Sequence, residues 1–142
     1  IEETTINIGK EAFYKCNNID NMTIENFAAI KDGKLDNVFS KLDSLKTLVL
    51  INGTSLSANC LSICPNIENF TFNTAIATIG QEAFMNCTKL QKCDIIGTIS
   101  NIGKRAFKNC YSLSDLNFND LEKLSNEAPH TLSLLLLARA IS

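Results

Sequence analysis

A nine-residue pattern that occurs three times constrains this chain more than any other feature of it. Ile8-Gly9-Lys10-Glu11-Ala12-Phe13-Tyr14-Lys15-Cys16 recurs as Ile79-Gly80-Gln81-Glu82-Ala83-Phe84-Met85-Asn86-Cys87 and as Ile102-Gly103-Lys104-Arg105-Ala106-Phe107-Lys108-Asn109-Cys110. Carried through the middle of the chain, the register gives two degenerate copies, with Phe39 and Leu61 at the Phe position and Leu42 and Cys64 at the Cys position. Successive Phe positions are then 26, 22, 23 and 23 residues apart. A nearly fixed period in that range marks stacked units.

A second block follows each Cys or Leu: Ile19-x-x-Met22-x-Ile24, Leu45-x-x-Leu48-x-Leu50, Ile67-x-x-Phe70-x-Phe72, Leu90-x-x-Cys93-x-Ile95 and Leu113-x-x-Leu116-x-Phe118. Its last two apolar residues are two apart, so they share one side of a β-strand while the residues between them face the other way. Ala-Phe-x-x-Cys spaces apolar groups by one, three and four, which predicts a short helical turn, and the Gly before it predicts a tight change of direction. One such unit cannot bury its own apolar face, whereas stacked units bury it in columns. The expected fold is therefore an α/β repeat solenoid with one short parallel strand and one short helical turn per repeat of about 23 residues. It forms a single domain over residues 1–142, with five repeats over about 6–119 and a degenerate repeat or C-terminal cap over 120–142. A sixth unit would start near Leu124 and leave the pattern at Pro129.

These residues resemble the BspA-like leucine-rich-repeat family, whose unit runs roughly Ile-x-x-Ile-Gly-x-x-Ala-Phe-x-x-Cys-x-x-Leu-x-x-Ile-x-Ile. The units around Phe39 and Leu61 depart from it by lacking the Gly and the full Ala-Phe-x-x-Cys. The resemblance implies a right-handed solenoid. It also implies a non-catalytic protein-binding module, since members occur on the surfaces of bacteria and protozoan parasites and some are implicated in adhesion. A cell-surface or extracellular protein of adhesion or host interaction is the favoured expectation. An intracellular, cytoplasmic scaffold of the same fold and a structural spacer in a longer repeat protein are the alternatives.

Composition narrows the partners. Thirteen basic against fifteen acidic residues, a net charge of -2, give no electrostatic reason to expect nucleic acid, and 45% hydrophobic residues exclude a disordered segment. The apolar run Leu132–Ala138 is far shorter than the ~20 residues that span a bilayer. It reads as buried capping structure. The start at Ile1, without Met or a signal-like segment, reads as a piece of something longer.

No enzyme motif survives inspection, and neither a cofactor nor a metal is expected. His130 is the only histidine and lies outside the repeats, so it reads as a solvated or capping residue. Four of the six cysteines, Cys16, Cys64, Cys87 and Cys110, share one column with Leu42, while Cys60 and Cys93 replace Ala12 and Met22. A position that accepts Leu asks for an apolar group, and buried free Cys is such a group. The cysteines also lack zinc-ribbon spacing. Glu11 and Glu82 recur at one repeat position and read as a solvated face. Asn21, Asn52, Asn69 and Asn86 each open an Asn-x-Thr tripeptide, an N-glycosylation acceptor in a secreted eukaryotic protein.

The outward, concave strand face is the expected site for a protein ligand, because solenoids bind through extended concave surfaces. Its candidate residues are Thr23, Glu25, Val49, Ile51, Thr71, Lys92, Asp94, Ile96 and Asn117. A plain polar sheet face is the competing reading. The face carries no aromatic residue, and aromatic and Arg side chains dominate interface hot spots.

Overall fold

The computed structural model describes residues 12–13, 16–29, 42–62 and 64–118. Within them the repeats wind into a parallel β-solenoid of four turns. Strands β1 (Asn21–Ile24), β2 (Thr47–Ile51), β4 (Asn69–Ile79), β5 (Lys92–Ile102) and β6 (Asp115–Phe118) lie side by side in chain order, and β3 (Ser55–Leu56) pairs with the far half of β4. Pairing is in register with the repeat: Met22, Leu48, Phe70, Cys93 and Leu116 form one column, and Ile24, Leu50, Phe72, Ile95 and Phe118 the next.

Each coil enters its strand through the same forked contact. The carbonyl of Asp20 accepts from the N–H groups of Lys46 and Thr47, Lys46 from Glu68 and Asn69, Glu68 from Gln91 and Lys92, and Gln91 from Ser114 and Asp115. These bonds lock successive coils at one register. A slip of one residue would turn every buried strand side chain outward.

The Ala-Phe-x-x-Cys block is not helical, which corrects the expected helical turn. Among the described residues there is no α-helix, and the one helical segment is the three-residue 3-10 turn Phe27–Ala29, outside that block. The block is instead a run of turns closed by bonds from the N–H of one residue to the carbonyl three before it: Ala83 to Gly80, Met85 to Glu82, Cys87 to Phe84 and Leu90 to Cys87. Alternate N–H groups, those of Glu82, Phe84 and Asn86, donate to the next coil at Lys104, Ala106 and Lys108. A helix would keep them within its own segment. Positive φ at Glu82 (55°), Asn86 (64°), Arg105 (57°) and Asn109 (62°) bends each turn in the way a type II turn requires.

The glycine before the block also has a different role from the expected one. Gly80 and Gly103 are not among the positive-φ residues. They let neighbouring coils approach: a Cβ on Gly80 would stand 2.6 Å from Ala58 N and Leu56 O, and one on Gly103 would meet the backbone of Gly80 and Gln81.

In β1, β2 and β6 the strand is as short as expected, at four or five residues, but in two coils it is longer. β4 and β5 each run 11 residues and bend around a corner, with irregular pairing between Asn73 and Thr78. Ala77, Ile79, Ile99 and Ile102 thereby line a second wall of the core.

The core between the walls is almost wholly apolar, and Thr74 is the one buried polar residue among those described. Leu61, Phe84 and Phe107 fill the predicted Phe column, while Phe13 at its first position is half-buried. Phe84 stacks on Phe107 at 4.9 Å with the rings 6° from parallel and meets Phe70 edge-on, also at 4.9 Å. Phe39, Gly9, Glu11, His130 and the segment over 120–142 lie outside the described residues.

Candidate functional site

Alternation along the strands places three rows of side chains on the outer surface of the sheet. The first row runs Asn21, Thr47, Asn69, Lys92, Asp115, and the second Thr23, Val49, Thr71, Asp94, Asn117. The third holds Ile51, Asn73 and Ile96, and Glu25 follows β1 directly, beyond its last paired residue. All nine candidate residues are therefore on or beside one surface. Their burial follows from the pleat: in β2 Leu48 and Leu50 are buried while Thr47, Val49 and Ile51 are half-exposed.

One polar part of this surface, on β5 and β6, is already paired with itself. Asp94 takes Lys92 Nζ at 3.4 Å on one carboxylate oxygen and Asn117 Nδ2 at 2.6 Å on the other. Asn117 Nδ2 also donates to Asp115 Oδ1 at 3.2 Å. Exposed pairs of this kind add little stability, but they fix where the charges stand. The apolar part is Val49, Ile51 and Ile96, of which Ile96 is 47% exposed, one of two large apolar side chains so exposed among the described residues. The other, Tyr111, is 77% exposed and donates from its hydroxyl to Asn109 Oδ1. Sequence reasoning did not select Tyr111, although its column holds only polar residues and Pro65 in the other coils.

The surface formed by the turns carries inter-coil ladders. Asn109 Nδ2 donates to Asn86 Oδ1 at 2.8 Å, and Arg105 meets Glu82 at 3.5 Å. Glu82 is thus half-buried and paired with the next coil rather than simply solvated, as the sequence had suggested.

All six thiols are free; five are buried and Cys16 is partly so. Cys87 Sγ donates to Leu61 O at 3.3 Å, and Cys110 Sγ to Phe84 O at 3.1 Å, each one coil back. Burial pushes the Cys64 thiol up to about 12, with the charge of Asp43 adding to it. Burial likewise raises Cys110 to about 12, against a smaller opposing contribution from its contact with the Cys87 backbone. Cys87 and Cys93 are raised further by burial and then by neighbouring thiols, with Asp94 also acting on Cys93. Such thiols are poor nucleophiles. Among the described residues no group of three or more His, Cys, Asp or Glu side chains could hold a metal ion, and no helix is long and apolar enough to cross a membrane.

Comparison with curated proteins and with solved structures finds no match. The family described as BspA type Leucine rich repeat region matches residues 6–131 in six copies, which takes the repeat beyond Asn119 into the predicted sixth unit. With the repeat, the stacked turns and the parallel ladder in agreement, the chain belongs to the BspA-type leucine-rich-repeat family.

Proposed function

We propose that this protein is a non-catalytic binding module whose strand face takes a protein ligand, in the service of adhesion at a cell surface. The observation that carries the reading is the separation of the two sides of each strand. Leu48, Phe70, Cys93 and Leu116 serve the core, whereas Thr47, Asn69, Lys92 and Asp115 one residue earlier serve only the outer face. Outer rows of this kind can change without cost to packing, which is how repeat proteins present extended binding surfaces. Free thiols do not argue against an oxidising compartment here, because burial shields five of them and holds Cys64, Cys87, Cys93 and Cys110 in the protonated form.

The test couples the chain to beads, so that many weak contacts act together, and measures adhesion to cells. Ile96→Asp and Ile51→Asp should each reduce bead adhesion at least tenfold with the melting temperature unchanged. Lys108→Glu, on the turn surface, should leave adhesion intact. Adhesion that falls only with Lys108→Glu would move the site to the turns, and beads that bind no more than bare ones would sink the reading.

A further inference from the structure

Two of the four Asn-x-Thr tripeptides, those of Asn21 and Asn69, lie on the proposed binding face, and two, those of Asn52 and Asn86, lie off it. Asn21 and Asn69 open β1 and β4, so each tripeptide is extended. Asn69 is also half-buried between Thr47 and Lys92. Asn86 lies in a turn, but its Oδ1 is held by Asn109 of the next coil, and Cys87 at the centre of its tripeptide is sealed in the core.

Asn52 differs from the strand pair in conformation and from Asn86 in its side-chain contacts. It follows β2 in a bend with φ of 61°, and both Asn52 and Thr54 are exposed. The residue between them, Gly53, is buried beside Phe27 and Phe72 and its carbonyl accepts from Thr74 Oγ1, so the tripeptide is anchored at its centre while Asn52 and Thr54 stay exposed. The backbone is fixed there: Asn52 N–H donates to Asn73 O and its carbonyl accepts from Ala28 N–H, both at 2.9 Å. The side-chain amide makes one long contact, Nδ2 to Glu25 O at 3.4 Å. A substituted amide keeps one N–H and can keep that contact.

We infer that Asn52 is an N-glycosylation site, taking an oligosaccharide from a lipid-pyrophosphate donor. A bond forms between Asn52 Nδ2 and C1 of the reducing sugar, the bond from C1 to the donor phosphate oxygen breaks, and the amide proton and the lipid pyrophosphate leave. The inference rests on the secreted form of the proposed function. Its consequence for that function is spatial: the glycan stands beside Glu25 and Ile51, so it competes with a partner at Ile51, while Lys92, Asp94, Ile96 and Asn117 lie on later coils.

The experiment expresses the whole 142-residue chain behind a cleavable secretion signal in a eukaryotic cell. Sites are mapped by enzymatic deglycosylation in heavy-oxygen water, which marks each formerly modified Asn. Occupancy at Asn52 should exceed that at Asn21, Asn69 or Asn86 at least tenfold. Asn52→Gln and Thr54→Ala should each abolish the mass increment, the second while leaving Asn52 and its backbone contacts in place. Predominant occupancy at another of the four, or none at Asn52, overturns the inference. Bead adhesion of unglycosylated bacterial protein is measured separately, so failure of the glycan and failure of the binding face are distinguishable.

Discussion

Replacing Phe84 by Ala removes the ring at the centre of the stack, so the cost can be worked from its surroundings. Phe84 is fully buried, lies flat on Phe107 at 4.9 Å and meets Phe70 edge-on at 4.9 Å. Coils above and below are held by backbone bonds from Leu61 N–H to Ala83 O and from Phe84 N–H to Ala106 O. They cannot close over the space. A truncation of this kind at a site that cannot collapse costs about 3–5 kcal/mol. That is a large share of the ~5–15 kcal/mol that holds a domain together, and at about 3–4 °C per kcal/mol it lowers the melting temperature by roughly 10–20 °C. Thermal unfolding followed by circular dichroism measures it, with Lys108→Ala as an exposed control expected to move by about 0.5 kcal/mol or less. Hydrogen exchange should show added opening in the coils bearing Phe70 and Phe107, because stability in a stack passes between neighbours. A shift of a degree or two, or a loss of protection confined to residues 80–87, would refute the packing argument.

The burial of the thiols makes two further outcomes measurable. Iodoacetamide at pH 8 should label Cys16 readily and the other five thiols only on unfolding, as read by intact mass. The thiols raised to about 12 in Cys64 and Cys110 hold their protons above the ordinary 9.0, so their stabilisation is complete below about pH 9 and is lost as pH rises toward 12. Denaturant melts should show stability falling through that window by about 1.4 kcal/mol per pH unit for each such thiol. Gly103→Ala should cost about 1–3 kcal/mol through overpacking, because its new methyl meets the backbone of Gly80 and Gln81 rather than a side chain that can move. An unchanged denaturation midpoint would show that the coils can separate there.

The strand register was legible because it depends on spacing alone. Strands begin at Asn21, Thr47, Asn69, Lys92 and Asp115, and the offsets between them repeat those of the Phe column. The turn block was misread because Phe-x-x-Cys-x-x-Leu has a spacing of three that a helix and a chain of turns share. What separates them is the destination of Phe84 N–H, which is Ala106 of the next coil. No local pattern records that. Gly80 was read for its conformational freedom when the constraint comes from Leu56 and Ala58, again a coil away. The same distance explains the binding face: alternation was enough to select Asp94 and Asn117 as outward, while their hydrogen bond joins residues one repeat apart and became visible only once the coils were stacked. Ser100, Thr78 and the rest of the second wall were missed because Thr98–Ile102 alternates too briefly to suggest a continuing strand.

The size of the face limits what binding it can support. Five strands at ~4.8 Å spacing, with about five residues each at ~3.3 Å, present roughly 300–400 Å², against the ~800 Å² each partner gives to a standard interface. Each added coil contributes about 80 Å², so the strand face alone would reach a standard interface only with about five or six more coils. Within the present face, desolvating the network of Lys92, Asp94, Asn117 and Asp115 brings little return, since these groups already satisfy one another. The gain must come from Ile96, Ile51 and Val49, whose apolar atoms have no partner to give up. A ligand that covers this end of the strands also reaches the corner where β4 and β5 turn, and there it can recruit exposed Asn73 and Thr98 without entering the core. Contact across that corner, with many copies acting together, is the mode of binding that the area and the chemistry of this surface both favour.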